Sequence, residues 1–235
     1  MIGLGTIINV VAIIIGGLLG KVCGGFLSKR YQETLNMACG VSVLFLGIAG
    51  ALEGTLTVED TAIVSGQSML IVLSLVLGAL IGELINLEDK FERFGEWLKR
   101  KTGNEKEANF VDAFVTASLT VCIGAMAIVG AIQDGIFGDY SILATKAVLD
   151  LIIILVMTGA MGKGCAFSAI PVAILQGTVT LIARFIKPIM TEPAQANLSM
   201  VVSILIFCVG VNLVWGKKVR VANLLPAIVI AVIMA

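Results

Sequence analysis

Long apolar runs separated by short polar stretches dominate this chain. A helix of roughly 20 apolar residues crosses the hydrocarbon core of a bilayer. Eight segments approach that length: Ile2–Gly20, Thr34–Leu52, Ser65–Leu84, Phe110–Ile132, Ser141–Met161, Ala166–Phe185, Leu198–Trp215 and Val219–Ala235. The pattern predicts an all-α integral membrane protein of about eight transmembrane helices, forming one polytopic domain over residues 1–235. The first run begins at Met1 but is too long and too glycine-rich for a cleaved signal peptide, and no A-x-A site follows it. The last run is short and ends at the final residue.

The pattern changes over 87–107. Leu87, Phe91, Phe94 and Leu98 recur at helical spacing, charges fill the other positions, and Trp97 is placed as an interfacial anchor. This predicts an amphipathic connector lying along the membrane surface. It reads as a gating or docking helix, or as a plain solubilising link. With eight spans, Lys21, Lys29, Arg30, Lys90, Arg93, Lys99, Arg100, Lys101, Lys106, Lys163, Lys217, Lys218 and Arg220 fall on one side, against Arg184 and Lys187 on the other. The opposite side carries Glu53, Glu59, Asp60, Asp134, Asp139 and Glu192. Positive residues mark the cytoplasmic side, so the connector is expected inside and both termini outside a bacterial inner membrane. A faint internal repeat pairs Gly50-Ala51-Leu52-Glu53 with Gly130-Ala131-Ile132-Gln133.

Composition narrows the function. The chain is 58% hydrophobic and 14% charged, and its mean hydropathy is +1.05. Soluble domains are about 45–50% apolar and about 25% charged. Soluble enzymes and disordered scaffolds are therefore excluded. With 16 basic and 16 acidic residues there is no net basic field for nucleic acid. Histidine is absent, which removes histidine-based triads and the commonest metal ligand. Cys23, Cys39, Cys122, Cys165 and Cys208 are widely spaced within or beside apolar runs, so they read as small hydrophobes. No cofactor, metal or catalytic site is expected.

The remaining chemistry lies in polar residues inside the apolar runs. Lys146 and Asp150 are four residues apart and share a helix face. Asp150 falls roughly 14 Å along its helix, near mid-bilayer, where a charge costs about 2.5–3.5 kcal/mol even on lenient scales. The pair reads as an ion or solute site, or as a structural pin. Asn9, Gln133, Ser168, Gln176 and Asn223 add amides and a hydroxyl, and Pro171 and Pro226 interrupt two runs. Interrupted helices free backbone groups that coordinate substrate in transporters. Gly16, Gly20 and Gly24 form one small-residue stripe, Gly78 and Gly82 another. Such stripes let helices approach closely, within one chain or in a homo-oligomer.

Several motifs resemble those of the YqgA/YdfK-like family of bacterial multi-spanning membrane proteins, a family defined as a domain of unknown function. They are Gly5-Thr6 with Asn9, then Ala117-Ser118-Leu119 with Cys122, Gly124 and Met126-Ala127-Ile128, then Gln133-Asp134-Gly135. Lys146 with Leu149-Asp150, Phe167-Ser168-Ala169-Ile170-Pro171-Val172 with Gln176-Gly177, and Arg220–Ala227 complete the set. The resemblance covers essentially the whole chain. It implies a membrane location and a transport role. The expectation is passage of a small solute or ion, with Asn9, Gln133, Lys146, Asp150, Ser168, Gln176 and Asn223 lining a polar interior. The alternative is a scaffold or sensor subunit acting through oligomerisation and the connector.

Overall fold

Helices account for nearly all of the computed structural model, which describes residues 2–26, 28–59, 62–105, 107–122, 125–186 and 190–235. Met1, Asp60, Lys106, Gly124 and Lys187, which enter the expectations above, lie outside the described residues. The order is α1 (Leu4–Phe26), α2 (Lys29–Thr55), the strands β1 (Leu56–Glu59) and β2 (Ala62–Ser65), α3 (Ser68–Ile85) and α4 (Leu87–Lys101). Then come α5 (Phe110–Cys122), α6 (Ala125–Phe137), α7 (Ser141–Met161), α8 (Ala169–Ile186), α9 (Glu192–Trp215) and α10 (Pro226–Ile233). Short 3₁₀ turns at Lys163–Ser168 and Val221–Leu224 precede α8 and α10. The two strands form an antiparallel ribbon, Leu56 opposite Ser65, that the apolar pattern did not predict.

The expected eight transmembrane helices reduce to five among the described residues: Leu4–Gly24, Ser68–Ile85, Ser141–Met161, Lys163–Ala183 and Glu192–Trp215. A sixth appears only if Phe110–Cys122 and Met126–Phe137, which meet at 58°, are taken as one broken span. Three physical causes reduce the number. The polar start of α2, with Lys29, Arg30 and Glu33, leaves a short apolar stretch, Gly40–Thr55. The expected continuous run Phe110–Ile132 divides into Phe110–Cys122 and Met126–Phe137 at 58° to one another, neither long enough to cross alone. The last run begins with a 3₁₀ turn and Pro226, so its apolar helix, Val221–Ile233, is short.

Glycines decide how the helices meet. Helix α1 runs alongside α7 in the same direction, with Gly5 against Leu143, Gly16 against Leu151 and Gly24 against Gly159. A methyl on Gly16 would stand 2.5 Å from the Leu151 carbonyl oxygen. Helix α2 runs antiparallel to α9, Gly40 against Leu213 and Gly54 against Met200. Helix α3 runs antiparallel to α10, where Gly78 meets Ala227 and Gly82 meets the backbone of Asn223. Both stripes read from the sequence are thus filled within one chain. Phe110, Phe114, Leu143, Ile154, Met157 and Val172 are fully buried between these pairs. Ile7, Val11, Leu18 and Val22 of α1, and Val72, Val76, Leu80 and Leu84 of α3, are exposed, as a lipid-facing surface requires.

Two turns share a design. Gly162 (φ 106°) ends α7 and Gly216 (φ 76°) ends α9, each in a conformation that favours glycine. Each is followed by a lysine, a 3₁₀ turn, and a helix with proline in its first turns, Pro171 in α8 and Pro226 in α10. This correspondence is clearer than the one between Gly50 and Gly130, whose neighbours differ: Ser203 for the first, Ile142 and Leu143 for the second.

Helix α4 turns its apolar face onto the bundle. Leu98 is buried, Gly95 sits against Phe114, and the Phe94 ring lies 5.8 Å from that of Phe114. Its apolar face is therefore covered by α5, leaving Trp97 half exposed. Ion pairs tie the lysines of the two turns to the same end of the bundle as α4: Lys163 to Glu107, and Lys217 to Glu88 and Glu92.

Candidate functional site

The Lys146 ammonium donates to both carboxylate oxygens of Asp150, each at 2.8 Å. Their side chains are 8% and 3% exposed. The i, i+4 spacing on α7 makes this contact inevitable once both side chains turn inward. They turn inward because neither charge tolerates lipid.

One amide stands beside the pair, and a second lies at that amide's depth on a neighbouring helix. Helix α8 faces α1, and the hydroxyls of Thr6 and Thr180 meet at 3.5 Å. The two helices run in opposite directions here, since Gly17 of α1 meets Ala166, just ahead of α8. One turn inward from the threonines are Asn9 on α1 and Gln176 on α8, which therefore lie at the same depth. Both are buried, at 0% and 1% exposure. Asn9 makes a weak side-chain hydrogen bond toward the Asp150 carboxylate that falls outside ordinary hydrogen-bond geometry, so its amide nitrogen and oxygen, like those of Gln176, close no full hydrogen bond. Cys122, the last residue of α5 before the break, is within electrostatic reach of Lys146 and Asp150.

The other expected residues are placed differently. Ser168 ends the 3₁₀ turn before α8, fully buried with an unpartnered hydroxyl. That turn packs on α5 toward the charged end, with Gly164 against Phe110 and Cys165 donating to the Ala113 carbonyl at 3.5 Å. Gln133 is half-buried in α6 near the end opposite α4. Asn223 is a clamp: its oxygen accepts from the Glu88 amide at 2.7 Å, and its nitrogen donates to Glu83 at 2.5 Å. Thus Asn9, Lys146 and Asp150 come together, Gln176 lies at the depth of Asn9 on α8, Ser168 lies nearer the charged end, and Gln133 and Asn223 stand apart.

Some residues gain weight only from the structure. Asp134 is fully buried and accepts from the amides of Gly3 (3.2 Å) and Gly5 (3.0 Å), holding the start of α1. The signal was present: α1 opens on Gly3-Leu4-Gly5 with no capping side chain ahead of it, so its free amides require an acceptor from elsewhere. Ser118 and Thr158 carry buried, unpartnered hydroxyls as well. Among the described residues, no group of three Asp, Glu, Cys or His side chains comes together to hold a metal.

A cavity of about 750 Å³ opens at the charged end, between α4, α5, α7 and α9. Glu33, Glu88, Glu92, Asp112 and Lys217 line its mouth, and Val115, Leu119 and Val209 its depth. Burial opposes charge on Lys217, but its hydrogen bonds to Glu92 and Glu88 outweigh that and hold its pKa above the ordinary lysine value. On α5, Asp112, Val115 and Leu119 follow one face, and Cys122 is its next position. The polar cluster thus begins about one turn beyond the cavity floor, with Leu119 between them.

The profile of DUF554, a protein family of unknown function, matches residues 4–235. The chain is 30% identical over 226 residues to "Uncharacterized membrane protein YdfK" of Bacillus subtilis (strain 168), covering 96% of this chain and 93% of that protein. It is 29% identical over 235 residues to "Uncharacterized protein YqgA" of Escherichia coli (strain K12), covering 97% and 94%. No solved structure matches the chain. With the profile spanning nearly every residue and the apolar helices requiring a bilayer, this multi-pass membrane protein belongs to the DUF554 family of bacterial membrane proteins.

Proposed function

We propose that the protein passes a small polar solute or ion across the bacterial inner membrane, as a secondary carrier or channel rather than an enzyme. One observation carries the reading. A charged pair, and two amides at one depth that close no full hydrogen bond, are buried in a bilayer-embedded bundle, one of the amides beside the pair. Burying an unpaired amide costs about 1–3 kcal/mol by protein mutational data, and a structural core would use apolar side chains instead. A polar ligand would satisfy these groups. The bend between α5 and α6 beside the pair supports the reading, because broken helices at mid-membrane are a usual setting for solute sites.

In this reading the cavity is the cytoplasmic vestibule. The end where it opens carries Lys163, Lys217, Lys218 and Arg220, which the positive-inside rule places in the cytoplasm. Leu119, 5% exposed, acts as an apolar plug between vestibule and cluster. Asp150 binds a cationic group of the solute, Lys146 balances it, Asn9 and Gln176 hydrogen-bond the solute, and Ser168 meets it nearer the charged end. With the glycine stripes filled inside the chain, a homo-oligomer would use the exposed apolar faces of α1 and α3 instead.

The test is flux into proteoliposomes loaded with pyranine and challenged with a panel of small polar solutes under a membrane potential. A protein-dependent signal that Asp150→Asn abolishes supports the reading. A signal unchanged in Asp150→Asn removes the buried pair from the mechanism, and no signal for any solute removes transport.

A further inference from the structure

Charge balance at the buried pair limits what can bind there. Lys146 and Asp150 neutralise one another through two hydrogen bonds. A lone cation drawn to Asp150 would leave the Lys146 ammonium unpaired in the bilayer interior. A lone anion drawn to Lys146 would leave the Asp150 carboxylate unpaired. Either state is heavily penalised where water is absent. A ligand carrying both charges avoids this, because its carboxylate replaces Asp150 at the ammonium while its own ammonium replaces Lys146 at the carboxylate. One ion pair becomes two, and the site stays neutral.

The amides fit the same ligand. Beyond the weak bond of Asn9 toward Asp150, Asn9 and Gln176 each hold an unused N–H donor and an unused carbonyl acceptor, fully buried and at one depth. An ammonium with three N–H groups and a carboxylate with two oxygens each have capacity left after pairing with Asp150 and Lys146. Two acceptors and two donors stand ready for that remainder. A neutral amide solute could use Asn9 and Gln176 but would leave the ion pair without a role.

We infer that the ligand of this site is a small zwitterion, a solute bearing one ammonium and one carboxylate, which inserts between Lys146 and Asp150 and completes its hydrogen bonds on Asn9 and Gln176. The inference rests on the carrier reading only in taking the polar cluster for a ligand site.

Thermal unfolding of the purified chain in detergent tests it at pH 6.5. The probes are the proteinogenic α-amino acids, each beside its α-amide, which lacks the carboxylate, and its des-amino acid, which lacks the ammonium. At least one amino acid is expected to raise Tm, on the order of 5 °C at about 100 times its Kd, while its two single-charge analogues do not. Asp150→Asn should transfer the response to the des-amino acid, and Lys146→Gln to the amide. Because a single charge removal can prevent folding, the swapped variant Lys146→Asp/Asp150→Lys, which keeps both charges, is the companion and should retain the amino-acid response. A shift given equally by a single-charge analogue overturns the inference, as does the absence of any amino-acid response. Counterflow separates this result from the transport reading. Zwitterion binding without counterflow leaves the ligand assignment standing and removes transport, whereas flux of a singly charged solute without zwitterion binding does the reverse.

Discussion

Replacing Asn9 with leucine should make the protein more stable and inactive. Asn9 is fully buried, and its amide closes no full hydrogen bond, only a weak one toward Asp150. Leucine has nearly the same size and shape, so the substitution leaves neither a cavity nor an overpacked side chain. What it removes is the desolvation cost of an unsatisfied amide, about 1–3 kcal/mol. For a chain of this length each kcal/mol moves Tm by about 2–4 °C, so Asn9→Leu should raise Tm by about 2–12 °C. Gln176→Leu should behave alike, with part of the gain lost to its smaller volume. The two effects should add only partly, since the residues sit at one depth and share a site. The assay is thermal unfolding in detergent beside flux in liposomes. A rise in Tm with loss of flux is the expected trade of stability for function. A fall in Tm would mean that Asn9 is bonded glue between helices, and it would refute the premise that the cluster awaits a ligand.

Three further outcomes follow from the packing. Asp134→Asn keeps the shape but removes the charge that holds the Gly3 and Gly5 amides. It should cost about 2 kcal/mol and be visible as a lower Tm. Gly20→Val drives side-chain atoms into Leu155 and Thr158 and should destabilise by about 1–3 kcal/mol. By contrast, Gly177→Ala meets nothing within 4 Å and should stabilise by up to about 1 kcal/mol, a contrast that thermal unfolding reads directly. The raised pKa of Lys217 means that its pairing with Glu88 and Glu92 contributes fully below the ordinary lysine value of 10.5 and is lost as pH climbs through the higher folded value. The Tm difference between wild type and Lys217→Met should therefore stay flat to about pH 10 and shrink above it.

The membrane class and the Lys146–Asp150 pair were legible in the sequence because both follow from local rules, run length in one case and four-residue spacing in the other. The roles of the amides were not. Asn9, Gln176 and Asn223 look alike as single amides in apolar runs, and only non-local partners separate them. Asn223 is satisfied by Glu88 and Glu83, 135 and 140 residues away, while Asn9 and Gln176 close no full hydrogen bond. The number of spans was overread for a related reason. Hydropathy sums over a window and does not register the bend between α5 and α6, or the 3₁₀ turn before α10. The amphipathic pattern of α4 correctly marked an apolar face, but periodicity cannot say whether lipid or Phe114 covers it. The tie between Asp134 and α1 joins residues about 130 positions apart, and no short-range pattern encodes it.

Accessibility of position 9 is the most direct measure of whether the polar cluster opens to water. In a variant with all five cysteines replaced by alanine, Asn9→Cys would be challenged in sealed vesicles with a membrane-impermeant thiosulfonate from each face in turn. The account predicts labelling from the face carrying α4, faster when Leu119→Ala removes the apolar plug and slower when a ligand occupies the site. A thiol that reacts from neither face, yet labels fully once the protein is unfolded, would contradict it.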